Sequence, residues 1–96
     1  MEKELIVKWT INASETSRIL GLLPKMVEKT RNEKGNLSYH IYQSADDHNV
    51  LILHERYADQ DALDVHKDSE HYKEIVAAQI IPHLKNREVQ LVNKLF

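Results

Sequence analysis

Residues 55–72 read ERYADQDALDVHKDSEHY and join the end of an apolar strand to the start of a helix. On that helix Ala62 and Leu63 set the inward-facing stripe, and His66 follows them at the i+4 and i+3 positions. A titratable ring therefore lies where the pattern favours an apolar side chain. Three residues later Ser69 interrupts the helix and offers a new N-cap. The stretch predicts a strand-to-helix crossover with a histidine that faces inward.

The rest of the chain alternates apolar and polar residues in four segments and follows a helical stripe in two others. The predicted elements are a strand over about Glu4–Asn12, a helix to about Asn32, a strand over Leu37–Ser44, a strand over Val50–Tyr57, a helix from Asp59 through Ile80, and a strand over Glu88–Phe96. Residues 45–49 predict the tip of a hairpin. The third strand begins with four apolar residues, a run typical of strands buried on both faces.

Several local signals predict where the helices begin and end. Asn12 starts a pattern that resembles a capping box and would open the first helix. Pro24 lies inside that helix and predicts a kink or a split. Gly35 is typical of a residue with left-handed backbone after a helix. Asp59 predicts the N-cap of the second helix, and Pro82 predicts its end or a kink.

The order of elements predicts an α+β fold of the ferredoxin-like βαββαβ type, with a four-stranded antiparallel sheet in a single domain of residues 1–96. Two helices cover only one face of such a sheet. Ile6 and Val92 add apolar groups to the apolar third strand, and a monomer would leave them in water, which soluble monomers rarely do. We therefore expect a homodimer joined through the uncovered sheet face.

Composition excludes several classes of protein. The formal net charge of −2 gives no basic footprint for nucleic acid. The chain has no cysteine and therefore no disulfide framework or thiolate nucleophile. The N-terminal MEKELIVKW is unlike a signal peptide, and no apolar run approaches the roughly 20 residues that cross a bilayer. Its two glycines form no phosphate-binding loop. We expect a cytoplasmic protein with no tightly bound cofactor and with no nucleic-acid or membrane partner.

Three segments, Lys34–Tyr39, Leu53–Tyr57 and Asp61–Tyr72, resemble the antibiotic biosynthesis monooxygenase family. The clearest part is Glu55-x-Tyr57 followed by Ala62-Leu63-x-x-His66-x-x-Ser69-x-His71-Tyr72. The resemblance extends over essentially the whole chain. It implies a dimeric α+β barrel, in which two ferredoxin-like sheets pack face to face. It also implies one of three activities: cofactor-independent oxygenation of quinols and aromatic polyketides, isomerisation of small phosphorylated sugars, or haem degradation.

This sequence lacks the functional residues of the family's haem-degrading members. Those members use an asparagine on the first strand, and a tryptophan and a more distal histidine on the second helix. This sequence has Trp9, His66 and Val76 at the three corresponding places. The triad is absent, which argues against haem degradation.

His66 is the candidate general base, since the ordinary pKa of histidine, near 6.5, suits proton transfer at neutral pH. The alternative is a structural histidine that bonds a strand carbonyl or Glu55 and orders the strand-to-helix turn. Trp9, Tyr39, Glu55 and His71 are the candidate substrate contacts. Each has an alternative role, such as core packing for Trp9 and helix capping or packing for His71.

Tyr39 and Tyr42 point to opposite faces of one strand, so at most one of them lines a given pocket. His66 and His71 are five residues apart, unlike the i, i+4 spacing that aligns two ligands on one helix face, and we expect no metal site.

Three hypotheses about function follow for this chain. The first is a monooxygenase acting on a small aromatic or quinol-type substrate, and an apolar, aromatic-lined cavity at His66 would favour it. The second is an isomerase of a small carbonyl compound, whether phosphorylated or not. Basic residues converging on the pocket would favour it. The third is a non-catalytic small-molecule-binding or stress-associated protein, and the lack of a cavity at His66 would favour it.

Overall fold

Four strands form one antiparallel sheet, and the helices pack on one of its faces. In the computed structural model, which describes residues 1–96, the elements are β1 (Lys3–Ile11), α1 (Thr16–Arg31), β2 (Asn36–Gln43), β3 (Val50–Tyr57), α2 (Gln60–Asp68), a π-helix (Tyr72–Ile80) and β4 (Leu84–Val92). The order across the sheet is β2-β3-β1-β4, and every neighbouring pair is antiparallel. The predicted α+β class and ferredoxin-like arrangement are confirmed.

Cross-strand register decides which side chains share the covered face of the sheet. On that face Leu5 pairs with Glu55, Val7 with Leu53, and Trp9 with Leu51. The buried apolar residues of the helices pack against this face and complete one core; they are Ile19, Met26, Leu63, Ile75, Val76 and Ile80. Burial of apolar surface between sheet and helices is the main favourable term that holds the layers together.

The third strand differs from its prediction. In β3, Leu51 and Leu53 are buried on the covered face, whereas Val50 and Ile52 on the other face remain partly accessible. The prediction that this strand is buried on both faces is wrong for the single chain. The physical reason is that the helices pack on one side of the sheet only.

The last strand begins four residues earlier than predicted. β4 pairs with β1 from Ile11↔Leu84 to Glu4↔Val92, so it covers Leu84–Val92 and not Glu88–Phe96. After Leu84, the residues of its first half are polar and carry no apolar alternation. A strand at a sheet edge tolerates such side chains, because its place is fixed by backbone hydrogen bonds to the neighbouring strand. Residues 95–96 lie beyond the strand and are exposed.

The first helix also corrects two predictions. The Asn12 side chain makes no capping bond, and a short 3-10 turn over Ala13–Glu15 precedes α1. The capping-box prediction is therefore wrong. α1 runs through Pro24 without a break, so of the predicted kink or split the split is wrong. Ile19 and Met26, on either side of the proline, are fully buried, and packing on the sheet maintains the helix across it. Neither α1 nor any other helix is long and apolar enough to span a membrane.

Gly35 has an ordinary backbone conformation, since no glycine in the chain has a positive φ. The left-handed prediction is wrong, and the reason for glycine here is close approach. A Cβ at this position would overlap the Cβ of Ala62 in α2. The carbonyl of Gly35 also accepts a hydrogen bond from the N–H of Ala58 at 2.9 Å. The α1–β2 connection is thereby held against the start of α2.

The predicted caps of the second helical segment are confirmed. The Asp59 carboxylate accepts a hydrogen bond from the N–H of Ala62 at 2.8 Å and caps α2. The helix breaks at Ser69, whose Oγ accepts from the N–H of Tyr72 at 3.2 Å and starts the next turn. Pro82 lies in the short 3-10 turn that follows the π-helix, and the helical segment ends there.

Candidate functional site

His66 lies inside the molecule among aromatic side chains. The cap at Asp59 sets the start of α2, and the helix then directs His66 at the sheet, where its side chain is 4% exposed. Its ring centroid is 5.1 Å from that of Tyr57, 5.2 Å from that of Tyr72 and 6.0 Å from that of Tyr39. The inward orientation predicted from helical spacing is confirmed.

Trp9, Tyr39, Glu55 and His66 line one small cavity between the sheet and the helices. The cavity has a volume of about 40 Å³, and its other lining residues are Leu5, Val7, Tyr72, Val76, Arg87 and Val89. A space of this size holds about one or a few water molecules. β1, β2, β3 and α2 therefore bring together four of the five side chains that the sequence pointed to.

The closest polar partner of the His66 ring is Glu33, which was not predicted from the sequence. Its Oε2 lies 2.8 Å from Nδ1 of His66, and the Glu33 side chain is 9% exposed. Glu33 belongs to the α1–β2 connection, where it is one charged residue among several in a polar segment. The close approach of Gly35 to Ala62, one helical turn before His66, places Glu33 beside the ring. No spacing pattern in the sequence predicts the contact between Glu33 and His66.

The contact with Glu33 fixes the roles of the two ring nitrogens of His66. A carboxylate has no proton to donate, so Nδ1 carries the hydrogen and donates it to Glu33. The other nitrogen, Nε2, then has a free lone pair in the neutral ring. It lies 3.9 Å from Oε1 of Glu55, on the side of the residues that line the cavity. A histidine oriented by a carboxylate at one nitrogen and free at the other has the geometry of a general base.

Glu55 is the second carboxyl group beside His66. It accepts a hydrogen bond from the hydroxyl of Tyr57 at 2.8 Å. Burial raises the pKa of Glu55, although the bond from Tyr57 and the nearby His66 act in the opposite direction. Burial and the adjacent Glu55 also raise the pKa of Tyr57 far above its usual range, so this phenol stays a donor. A buried carboxyl with a raised pKa can exchange a proton closer to neutral pH.

Two aromatic candidates are buried on the covered face. The Tyr39 hydroxyl donates to Sδ of Met26 at 3.7 Å, and burial raises the pKa of Tyr39 well above its usual value. Tyr42 lies on the opposite face and is exposed, as the strand alternation predicted. Trp9 is buried, and its Nε1 has no hydrogen-bond partner. The cavity thus has an indole whose donor is unused.

His71 lies on the other side of Glu33 and does not line the cavity at His66. Its Nε2 contacts Oε2 of Glu33 and lies 3.2 Å from Oγ of Ser69. His71 borders a separate surface cleft of about 360 Å³ that also contains Lys25 and Lys29. The argument that a five-residue spacing keeps His66 and His71 apart is wrong, because the helix breaks at Ser69 between them.

Comparison with known proteins shows relatives along the whole chain. The family model described as "Antibiotic biosynthesis monooxygenase" matches residues 4–78. A Mycobacterium tuberculosis protein, "Putative monooxygenase Rv0793", is 40% identical over 68 residues, which are 71% of this chain and 66% of that protein, just under two thirds of its length. The solved structure of Rv0793 has a TM-score of 0.89 at 33% identity and covers 100% of this chain and 97% of that chain.

A crystal structure of an antibiotic biosynthesis monooxygenase has a TM-score of 0.91 at 28% identity, and the match covers 99% of both chains. The matched fold is the one described above, with its helices on one face of the four-stranded sheet. The family match includes the strands and helices that carry Trp9, Tyr39, Glu55 and His66. The resemblance noted in the sequence is therefore confirmed, and the chain belongs to the antibiotic biosynthesis monooxygenase family.

Proposed function

We propose that this protein is a cofactor-independent monooxygenase that acts on a small aromatic or quinol-type substrate, with His66 as the general base. The observation that carries the proposal is the pairing of His66 with Glu33 at Nδ1, which leaves Nε2 on the cavity side. The name of the Mycobacterium tuberculosis relative, "Putative monooxygenase", supports the same class of reaction.

The proposed reaction needs no external reductant. His66 Nε2 takes the proton of a phenolic hydroxyl, and Glu33 stabilises the imidazolium that forms. The electron-rich phenolate reacts with O₂ at a ring carbon. One oxygen atom becomes a carbonyl of the quinone, and the other leaves as water with the two displaced hydrogens. The substrate supplies the four electrons that reduce O₂, so a phenol and O₂ give a quinone and water.

The lining of the cavity supports an aromatic substrate, and the small volume of the cavity limits how such a substrate enters. Its walls are mostly apolar and aromatic, and Arg87 is the only arginine or lysine that lines it, which favours the oxygenase over the isomerase of a phosphorylated compound. About 40 Å³ is smaller than the roughly 150 Å³ space that binds benzene in an engineered core. Substrate entry therefore requires side chains to move, and Arg87 and Val89 on the exposed edge strand β4 are the least confined.

A homodimer through the uncovered sheet face belongs to the same proposal. That face carries Ile6, Tyr42 and Ile52, of which Ile6 is 41% and Tyr42 49% exposed in the single chain. Light scattering coupled to size-exclusion chromatography measures the molar mass in solution and so tests whether this face forms a dimer. Ile52→Lys should shift the protein towards monomer, whereas Val65→Lys on the exposed side of α2 should not. A monomeric wild-type protein would exclude the dimer.

Turnover is tested by oxygen uptake with a panel of phenols and quinols in buffer containing EDTA, with product mass measured under ¹⁸O₂. His66→Asn should lower kcat about 10²- to 10⁴-fold, the usual contribution of a general base. His48→Asn, in the exposed hairpin turn, is the matched control and should keep full activity. Unchanged turnover of every accepted substrate in His66→Asn would remove His66 from the mechanism.

A further inference from the structure

Three side chains of the types that bind transition metals converge at the end of α2. A carboxylate oxygen of Glu33 and one ring nitrogen each of His66 and His71 all lie within 4.8 Å of one another. They come from the α1–β2 connection, from α2 and from the turn that follows Ser69. We propose that Glu33, His66 and His71 form a binding site for a divalent transition-metal ion of the Zn²⁺ type.

The donor set selects the class of ion. Two imidazole nitrogens and one carboxylate oxygen suit Zn²⁺ and neighbouring transition metals, whereas Mg²⁺ and Ca²⁺ take oxygen ligands almost exclusively. The side chains of His66, Glu33 and His71 are 4%, 9% and 14% exposed, so the ligands are held in place by the surrounding core. Three protein ligands leave a coordination position for water.

The distances require only a small adjustment of Glu33. Its Oε2 lies 2.8 Å from Nδ1 of His66 and 2.5 Å from Nε2 of His71. Ligands about 2.0–2.1 Å from a tetrahedral zinc ion lie roughly 3.3 Å from each other, so the carboxylate must withdraw by less than about 1 Å. The other oxygen, Oε1, is buried and has no hydrogen-bond partner. A metal ion would satisfy an acceptor that the protein leaves unused.

Glu55 is not a ligand of the proposed metal ion, but it can orient the ligand His66. Histidines that bind metals through one nitrogen usually donate the other N–H to a carboxylate or carbonyl group. Nε2 of His66 lies 3.9 Å from Oε1 of Glu55, which is itself fixed by the hydroxyl of Tyr57. When Nδ1 coordinates the metal, the hydrogen moves to Nε2 and faces this carboxyl group.

The ion reaches the site from the surface cleft beside His71. The acidic residues Glu70 and Glu74 and the basic residues Lys25 and Lys29 line this cleft. Their charges balance, so neither attraction nor repulsion dominates the entry of a cation. The metal-binding and base-competent arrangements exclude each other, because both use Nδ1 of His66. Metal binding should therefore inhibit turnover, but the site itself does not depend on the proposed reaction.

The test measures binding of the metal alone, without substrate. Protein stripped with EDTA and then dialysed is titrated with Zn²⁺ by calorimetry and with Co²⁺ by visible absorbance, and thermal unfolding is recorded with and without Zn²⁺. The wild type should bind one equivalent per chain and show a raised Tm. Mg²⁺ and Ca²⁺ should leave the Tm unchanged.

Three variants decide whether the bound ion occupies this site. His71→Gln and Glu33→Gln should each weaken Zn²⁺ binding at least tenfold, and either one suffices if the other fails to fold. Glu55→Gln should weaken it about 10- to 100-fold with the stoichiometry kept, as expected for a residue that orients a ligand. His48→Gln, an exposed histidine, should bind like the wild type. Equal binding by all variants, or no binding by the wild type, would overturn the proposal.

Discussion

Nδ1 of His66 lies 2.8 Å from Oε2 of Glu33, a residue 33 positions earlier in the chain, and the two side chains are only 4% and 9% exposed. This contact joins α2 to the α1–β2 connection and determines which ring nitrogen is free. Both proposals depend on this contact: in the proposed reaction Nδ1 carries the proton and leaves Nε2 free to act as the base, and in the proposed metal site Nδ1 is a ligand.

The tautomer of His66 can be observed directly. In metal-free protein labelled with ¹⁵N, the neutral ring of His66 should carry its hydrogen on Nδ1, because the Glu33 carboxylate can only accept. Long-range ¹H–¹⁵N correlation spectra distinguish the two nitrogens. A neutral ring with its hydrogen on Nε2 would contradict the proposed orientation of the base.

Removing Glu33 should destabilise the fold. Glu33→Ala leaves the buried Nδ1 donor of His66 without its acceptor, and an unsatisfied buried group costs about 1–3 kcal/mol. Urea unfolding measures the loss. Glu28→Ala, on the exposed side of α1, is the control and should stay within about 0.5 kcal/mol of the wild type. Equal stability of the two variants would show that the buried contact is dispensable.

The two glycines should respond in opposite directions to alanine. Gly35→Ala forces a Cβ into the side chain of Ala62 and should cost about 1–3 kcal/mol, as overpacking does. A Cβ at Gly21 in α1 meets nothing within 4 Å, so Gly21→Ala should stabilise by about 0.5–1 kcal/mol. Thermal and urea unfolding of both variants check the pair, and a neutral Gly35→Ala would contradict the close approach.

Glu55 should make stability depend on pH. Burial raises its pKa above the ordinary value of 4.5, so the folded state holds this proton more tightly than the unfolded state. The stabilisation is complete below pH 4.5 and is lost as the pH rises through the higher folded-state pKa. The unfolding free energy of wild type relative to Glu55→Gln should therefore fall as the pH rises above 4.5.

Urea unfolding of both proteins at several pH values, in EDTA, measures this difference. The glutamine keeps an acceptor for the hydroxyl of Tyr57, and the other carboxyl groups are common to both proteins. The comparison therefore reports the charge of Glu55 together with its interaction with His66 and Glu33. A difference that stays constant with pH would show that the Glu55 pKa is the same in the folded and unfolded states.

Ser69 should contribute to stability in two ways, as the N-cap of the helical segment that follows it and as a hydrogen-bond donor to the His66 carbonyl. Its Oγ accepts from the N–H of Tyr72 at 3.2 Å and donates to the carbonyl of His66 at 2.6 Å. Ser69→Ala should cost about 0.5–2 kcal/mol, the usual range for loss of an N-cap. Ser17→Ala, at an exposed position inside α1, should change stability by no more than about 0.5 kcal/mol. Denaturant unfolding of both variants compares them.

Much of the fold follows from local patterns in the sequence. The four strands, the crossover at residues 55–72, the cap at Asp59 and the break at Ser69 were predicted from side-chain periodicity and capping chemistry. Among the predictions that failed are the capping box at Asn12, the split at Pro24, the left-handed Gly35, the burial of β3 on both faces and the start of β4. At Pro24 and Gly35 packing against distant residues outweighed the local preference, and at the start of β4 strand pairing did.

By itself, the sequence determined that His66 faces inward and that Trp9 shares a strand face with Leu5, Val7 and Ile11, because helical and strand periodicity fix those directions. Cross-strand register in the tertiary structure placed Tyr39 and Glu55 on the same side of the sheet as Trp9. Only the tertiary structure decided that Glu33 and His71 meet His66. Gly35 has to pack against Ala62, and the helix has to break at Ser69, before the three side chains converge. Contacts between residues far apart in the chain depend on how the layers pack, and no local period encodes them.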